Sequence, residues 1–596
     1  MPVSPLLNSD GVLSFKITSN GSALAETVEV VSVTVSSAIN KIPSAEIVVI
    51  DGDMPAQTFE VTDDNAFKPG SEIEISAGYE DALETIFKGI VVRQGIRISG
   101  DNYSRLVVEC RDKAVGMTIG RKNENYVDQT DSAIMRSLIG GCSGVTADVS
   151  ETSLSLRELV QHFCTDWDFL LSRAEVNGFV VMVDQNKVSV KVPATGGGAS
   201  LKVGWGESLI DFQADVESRT QLQSVKTVSW DPKTQAIASQ TAAPASLNAQ
   251  GNLKSASLAT VAGPASYRLQ TPVPMEQPAL QKWADSQQIK SGLARIRGRM
   301  KFQGSATAKA GDVMTLEGVG ARFSGDVYVS AVNHSLSNGN WVTEVVFGMS
   351  PDWFAERRDL IAPPASGLLP GIEGLHLGVV MKLDGDPAGE NRVQVSIPLL
   401  EASKDGVWAR LAKFYGSDSF GAFFVPEIGD EVVMGYLNND PSYPVILGSL
   451  YSSKRKPPYD FTAENNTKAI VTRSKLRLIY DDEKKAVTII TPANNQIVVS
   501  DDAKSITLTD QSGNKAQLSP DGILLDSPKD IKINAKGQIA VSAVGQISIS
   551  SKADVSVSGL NVGHTAQVGF TAKGSATAEL SASGQTTVKG ALVVIN

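Results

Sequence analysis

Three cysteines in 596 residues, Cys110, Cys142 and Cys164, are too few for a disulfide framework and read as free thiols of a reducing cytosol. Histidine is almost as scarce, with four in the chain and no Cys-x-x-Cys beside them, so zinc chemistry and bound cofactors are not expected. No apolar run approaches the ~20 residues of a membrane span. The start, Met1 to Asp10, lacks the basic and apolar regions of a secretory signal. There is no basic excess either: 54 Lys and Arg stand against 65 Asp and Glu, a net charge of −11, which argues against a nucleic-acid partner. Gly-x-x-x-x-Gly-Lys and Gly-x-Ser-x-Gly are absent, as is the calcium-binding nonapeptide Gly-Gly-x-Gly-x-Asp. What is left is a folded cytosolic protein, 42% hydrophobic and 20% charged, long enough for several domains because single cores stop growing near ~250–300 residues.

The tail carries the clearest pattern. Ile531, Ile539, Ile547 and Val555 recur every eight residues, and Ile533, Val541, Ile549 and Val557 repeat two positions later. Gly537 and Gly545 punctuate at the same spacing. Each unit alternates apolar and polar residues, so each reads as a short strand with one buried face and a tight corner. Alone, such a ribbon exposes strand edges and a row of Ile and Val. Self-stacking solenoids usually have longer coils, so the octad fits one side of a prism braided from three copies better than a one-chain solenoid or an irregular sandwich. Burying each Ile or Val is worth ~1.5–3 kcal/mol, and three copies triple each contact. After Val557 the ladder resumes as Leu560, Val568, Ala576 or as Val562, Phe570, Ala578, which predicts an irregularity around Gly559.

Upstream, β-branched runs at Val28–Val35 and Glu46–Ile50, the turn Lys68-Pro-Gly70 and the strand Ser71–Ala77 suggest a small barrel. Leu156, Leu159, Val160 and Phe163, continued by Trp167, Leu170 and Leu171, have helical spacing, with Thr165 and Asp168 as a cap that splits two helices. Strands are expected at Phe179–Val183 and Val188–Val192, a helix near Leu280–Arg295, and strands at Asp312–Glu317, Asp326–Val332 and Trp341–Gly348. The Ala-, Ser- and Thr-rich stretch 234–265 reads as a loose excursion.

Candidate chemistry is thin. On a helix His162 and Asp166 share a face while Cys164 points away, so the three do not converge on one ion. His334 and His376 stand alone in β segments, and Asp63-Asp64, Asp481-Asp482 and Asp501-Asp502 fall in turn-like settings. No catalytic residue is assigned.

The stretches Phe424-Val-Pro-Glu-Ile-Gly-Asp-Glu-Val-Val-Met-Gly-Tyr436 and Asn439-Asp-Pro-Ser-Tyr-Pro-Val-Ile-Leu-Gly-Ser-Leu-Tyr451 resemble the signature of the VgrG spike family of type VI secretion and related contractile injection systems. Gly378-Val-Val, Asn391–Pro398 and Val407-Trp-Ala-Arg410 match the same module, which in that family is an OB-like barrel. Phe67–Ile73, Phe87–Ile90, Leu159–Glu175, Ala310–Val313 and Phe323–Ser330 look like the rest of the family's hub. The resemblance implies a mainly β chain with two small hub β-barrels, a helical insertion, an OB-like barrel and a C-terminal triple-stranded β-helix in an intertwined trimer. The implied map is a first hub barrel at 1–115, a helical and strand insertion at 116–205, and a second hub barrel at 206–358. A linker at 359–374, an OB-like domain at 375–455 and a β-helix needle at 456–596 complete it. The signature positions are Pro426, Gly429, Asp430, Glu431, Gly435, Pro444 and Gly448.

The same resemblance implies a homotrimeric spike and hub, not an enzyme. Its implied partners are a hexameric inner-tube ring, baseplate proteins and a PAAR-type tip protein docked on Leu592, Val594 and Ile595, with transient contact to a target membrane. The particle is expected to assemble in the producing cell's cytoplasm and to be driven out on contraction. Metal-bearing relatives carry His-x-His near the tip, whereas His564 stands between Gly563 and Thr565, so an iron site is not expected. No catalytic domain interrupts the junction before the needle or follows Asn596, so no fused effector is expected. Two other readings remain: a trimeric receptor-binding tail fibre, and a β-helical polysaccharide-degrading enzyme, which needs carboxylates ~5–9.5 Å apart and finds no candidate pair.

Overall fold

Alternating β-branched stretches become strands wherever a neighbour accepts their ladder bonds, and in the first 350 residues most join one thirteen-stranded sheet. The computed structural model describes residues 3–6, 11–80, 82–100, 103–398 and 406–595; of the stretch read for a signal, 1–2 and 7–10 lie outside these. The chain divides into two units, Met1–Ser449 and Leu450–Asn596. In the first, the strands expected for the two hub barrels meet where Gly325–Ser337 pairs antiparallel with Val30–Ala38. Two apolar clusters lie along that sheet. One holds Val33, Ile47, Ile75, Phe87 and Leu106, and the other Met300, Phe302, Met314, Val329 and Phe347, all fully or almost fully buried.

Among the described residues five α-helices flank this unit: α1 (Glu60–Asp63), α2 (Asp131–Gly140), α3 (Asp166–Val176), α4 (Ser255–Ala262) and α5 (Gln277–Leu293). Thr165 caps α3, its hydroxyl accepting the Asp168 N–H at 3.0 Å, as the capping pattern predicts. The helix expected before it is a strand. Ser155–Cys164 pairs with Lys122–Thr130 in a two-stranded ribbon, with a register break between Gln161 and Cys164. Ten residues are too few for an apolar spacing to separate the two periods, and the ladder supplied by 122–130 decides. His162 and Cys164 therefore sit on that ribbon and Asp166 on the first turn of α3, correcting the shared helical face.

α2 was not anticipated, although Thr130 caps it and Ile134, Met135, Leu138 and Ile139 form its buried stripe. Arg173 on α3 grips Asp131 on α2 through two N–H···O bonds of 2.7 and 3.0 Å. Lys290 on α5 pairs with buried Glu175 on α3, whose other oxygen accepts the Phe354 N–H at 2.6 Å. Burial raises the Glu175 carboxyl pKa, and Lys290 pulls against that shift. Breaking such a buried pair leaves an uncompensated charge, so these contacts fix how α2, α3 and α5 lie together.

Segment 234–265 is not the loose excursion its composition suggests. Ala236–Thr241 pairs with Val225–Asp231, α4 follows, and Asn248 and Gln250 are buried. Arg295 donates hydrogen bonds to Asn248 and Gln250 there, contacts that hydropathy does not report. Replacing Thr165 with Ala removes the α3 cap and is expected to cost the hub about 1 kcal/mol. A lowered denaturant midpoint for the unit Met1–Ser449, with any transition of Leu450–Asn596 unmoved, is the measurement that checks it.

Candidate functional site

The OB-like module closes a five-stranded barrel from His376–Lys382, Val393–Ser396, Val407–Leu411, Pro444–Ser449 and Glu431–Tyr436. Its centre is Val380, Val395, Ala409, Val432, Met434 and Ile446. The signature residues serve its geometry. Gly429 takes φ +83°, a region costly for side-chain-bearing residues, and donates its N–H to Val380 O at 2.7 Å. The Asp430 carboxylate accepts the Glu427 N–H at 2.9 Å, tightening the turn over Pro426. Glu431, Gly435, Pro444 and Gly448 occupy ladder positions opposite Val379, Val445, Tyr436 and Val433. Asp386 accepts three backbone N–H groups and the Arg392 guanidinium, which hold its carboxyl well below the usual range.

The second arrangement lies in the C-terminal unit. Seven antiparallel strands, Thr467–Val471, Arg477–Asp481, Ala486–Ile490, Gln496–Ser500, Ser505–Thr509, Lys515–Ser519 and Gly522–Asp526, form a meander. Left-handed residues at Lys475, Lys485, Asn494 and Lys504 turn four of its hairpins. The second and fourth residues of each strand share one face. Register stacks Leu478, Ile489, Ile497 and Leu508 in one row, and Val487, Val499, Ile506 and Leu518 in a second. The middle row of the other face is mixed, running Ile479, Thr488, Val498, Thr507, Gln517 and Leu524. The apolar rows are open to water in the single chain: Ile489 is 48% exposed, Ile497 41% and Leu508 44%. A concavity of about 550 Å³ is lined by Ile489, Ile497, Leu508, Leu525 and Ile531, so the first octad residue borders the apolar row.

Beyond Asp526 no described residue pairs as a strand, and the chain bends at 528–529, 536–537, 544–545 and 552–553. A short strand needs a ladder partner, and the single chain offers none here. Ile531, Ile533, Ile539, Val541, Ile547, Ile549, Val555 and Val557 all lie between bends and are exposed. The next bend residue is Leu560, followed by bends at 567–568 and 575–576. Leu560 and Val568 are thus fully exposed corners, and the octad continues as Val562, Phe570 and Ala578. One residue is lost from the repeat beside Gly559, since Val562 follows Val555 by seven. That shift puts His564 where Val557 and Ile549 stand in earlier units, its ring stacked on Phe570 with centroids 5.9 Å apart. Leu592, Val594 and Ile595 are exposed at the end of the described chain.

The remaining candidates resolve into turns and packing. Asp64 accepts the Ala66 N–H at 2.7 Å, the Asp481 carboxylate accepts the Lys484 N–H at 2.9 Å, and Asp482 pairs with Lys468. Asp501 and Asp502 fall in the turn before Ser505. His376 contacts the Glu373 carbonyl at 3.1 Å and meets the Tyr436 ring edge-on. Among the described residues no group of His, Cys, Asp and Glu is placed to hold a metal ion. Burial pushes the Cys110 thiol up to about 12, keeping it inert, and raises Cys142 and Cys164.

Residues 9–338 match the family described as the Alg8 N-terminal domain, more than half of the chain. Residues 376–451 match the type VI secretion system/phage-baseplate injector OB domain. The type VI secretion system spike protein VgrG5 of Pseudomonas aeruginosa is 30% identical over 125 residues, 20% of this chain and 15% of that protein. The chain belongs to the VgrG spike family, and its residues 9–338 to the Alg8 N-terminal domain family. The actin cross-linking toxin VgrG1 of Vibrio cholerae is 28% identical over 109 residues, 17% of this chain and 10% of the toxin. The matched stretches thus span 15% or less of these two VgrG relatives. The 43 kDa tail protein of prophage MuSo2 from Shewanella oneidensis aligns with a TM-score of 0.43 at 10% identity, over 57% of this chain and 98% of that one. No helix among the described residues of this VgrG-family chain is long and apolar enough to cross a membrane.

One hub group gives this VgrG-family chain a pH dependence. His334 is buried, its Nδ1 3.0 Å from Thr343 Oγ1, with Trp341 against its ring, and burial lowers its pKa to about 4. The unfolded chain, near 6.5, binds the proton first. Stability is therefore full above about 6.5 and falls as pH drops toward about 4, by on the order of 3 kcal/mol over that window. Denaturation of wild type and His334→Gln across pH 4.5–7.5 checks it, with the variant expected to lose most of this slope.

Proposed function

We propose that the chain is the spike and hub subunit of a contractile injection machine and works as a homotrimer. The observation that carries this reading is the two-row apolar face of the meander, continued by the octads, which no described part of the chain covers. Three copies winding around one axis would bury these rows, give the octads their missing ladder partners and remove free edges. A prism of that kind resists axial load because many ladder bonds must fail together. The small polar residues of its outer face (Ser, Thr, Gln, Lys) keep it narrow and soluble.

In this reading the first ~370 residues join a hexameric inner tube and baseplate proteins. The trimer core is Ile531, Ile533, Ile539, Val541, Ile547, Ile549, Val555 and Val557, added to the meander rows. The needle concentrates contraction force on a target membrane. Its apolar end, Leu592, Val594 and Ile595, receives a small PAAR-type tip protein that covers an otherwise sticky patch. The subunit assembles in the cytoplasm and leaves only with the expelled particle. Its role is mechanical, with no catalytic residue assigned.

Sedimentation of the intact protein is expected to give a trimer at micromolar concentration. Ile497→Asp, in the middle of one row, removes ~1.5–3 kcal/mol of burial per chain and roughly 5–9 kcal/mol per trimer. It is expected to shift the protein toward monomer with the hub still folded. A wild-type monomer, or a variant trimer of unchanged stability, sinks the proposal.

A further inference from the structure

Arg295 is a buried cation without an acid. It follows α5 and is 4% exposed. Its Nη1 donates to Asn248 Oδ1 and to the Gly292 carbonyl, both at 3.1 Å. Its Nη2 donates to the carbonyls of Asn248 and Gln250, at 2.5 and 3.3 Å. All four acceptors are neutral, and none of these bonds uses the Nε–H. Burial alone lowers its pKa, with no carboxylate acting on it. Taking a guanidinium out of water costs several kcal/mol, which an opposite charge normally offsets.

The same side chain lines a cavity of about 610 Å³ bounded by 242–251, the start of α4 and Gln288. No Asp or Glu is among the lining residues, and Lys254 is a second cation at its edge. The acid bonded to this wall, Asp285, is occupied elsewhere: it accepts the Ala243 N–H at 2.8 Å and Gln281 Nε2 at 2.9 Å. α4 begins at the cavity without a side-chain cap, leaving the N–H groups of Ser255 and Ala256 outside the intrahelical ladder. Ala242, Ala243, Pro244 and Leu247 supply apolar wall.

We propose that this cavity binds an oxyanion carried on a small organic group, a carboxylate or a phosphate ester. Arg295 is its fixed charge, Lys254 its rim charge, and the first N–H groups of α4 its neutral donors. The bound anion completes the charge balance that the fold leaves open and locks segment 242–256 onto α5. The site lies in the hub and does not depend on the trimeric needle.

The test is calorimetric titration and thermal shift of the full chain with inorganic phosphate and, separately, succinate, against chloride at constant ionic strength. Saturable binding of one anion per chain is expected for at least one probe, and preference between them identifies the chemistry. Lys254→Glu reverses an exposed charge without touching packed atoms, so it stays informative even where Arg295→Gln loosens the segment. It is expected to weaken binding by about tenfold or more. No binding above chloride, or binding that Lys254→Glu leaves unchanged, overturns the proposal and marks an adventitious ion only.

Discussion

A strand satisfies its backbone only through a neighbour, and an apolar face is stable only when something covers it. The two units of this chain meet that pair of demands differently. In the hub, Val33, Ile73 and Ile75 alternate with polar residues and are almost completely buried by their own chain. In the C-terminal unit Ile489, Ile497 and Leu508 share one face of paired strands, yet those side chains are 41–48% exposed. Both are apolar strand positions, and the coverage differs. From Pro528 onward the backbone demand goes unmet as well, since those residues bend regularly but pair with nothing described. The trimer proposed here answers both demands at once, and they are the physical reason for it.

The hub shows a complementary logic in its polar groups. Arg173 with Asp131, Lys290 with Glu175, and Arg295 with Asn248 and Gln250 each join segments far apart in sequence. Buried charges of this kind contribute less to net stability than to specifying one arrangement, since each is costly wherever its partner is absent. The last of these holds Asn248 and Gln250 within the 234–265 stretch, which has few large apolar side chains. Arg295 differs from the other two in lacking an acid, which is why it points to an occupant.

The OB-like module places its family signature in geometry. Gly429 permits a left-handed turn, Asp430 ties that turn to Glu427, and the other signature positions take ladder places. Hydrogen bonds from Arg392 and three amides likewise use the acidity of Asp386 to close a loop. Asp386 and Asp430 in this module thus work as structural acceptors.

Much of this was legible beforehand because it is local. The eight-residue period, the slip beside Gly559, the Thr165 cap and the OB signature each depend on residues a few positions apart. Choices that needed a distant partner were not legible. Leu156–Phe163 has helical spacing but becomes a strand because 122–130 lies beside it, and α2 was overlooked although its stripe at Ile134, Met135, Leu138 and Ile139 was there to read. Whether Leu560 or Val562 continues the ladder followed only from where the chain bends. Sequence by itself determined periodicity, turns and the faces that would be apolar, because those follow from side-chain spacing along the backbone. Tertiary structure alone decided which strands share a sheet, which buried charges find partners and which apolar faces stay uncovered, because each of those is a contact between residues the chain order does not bring together.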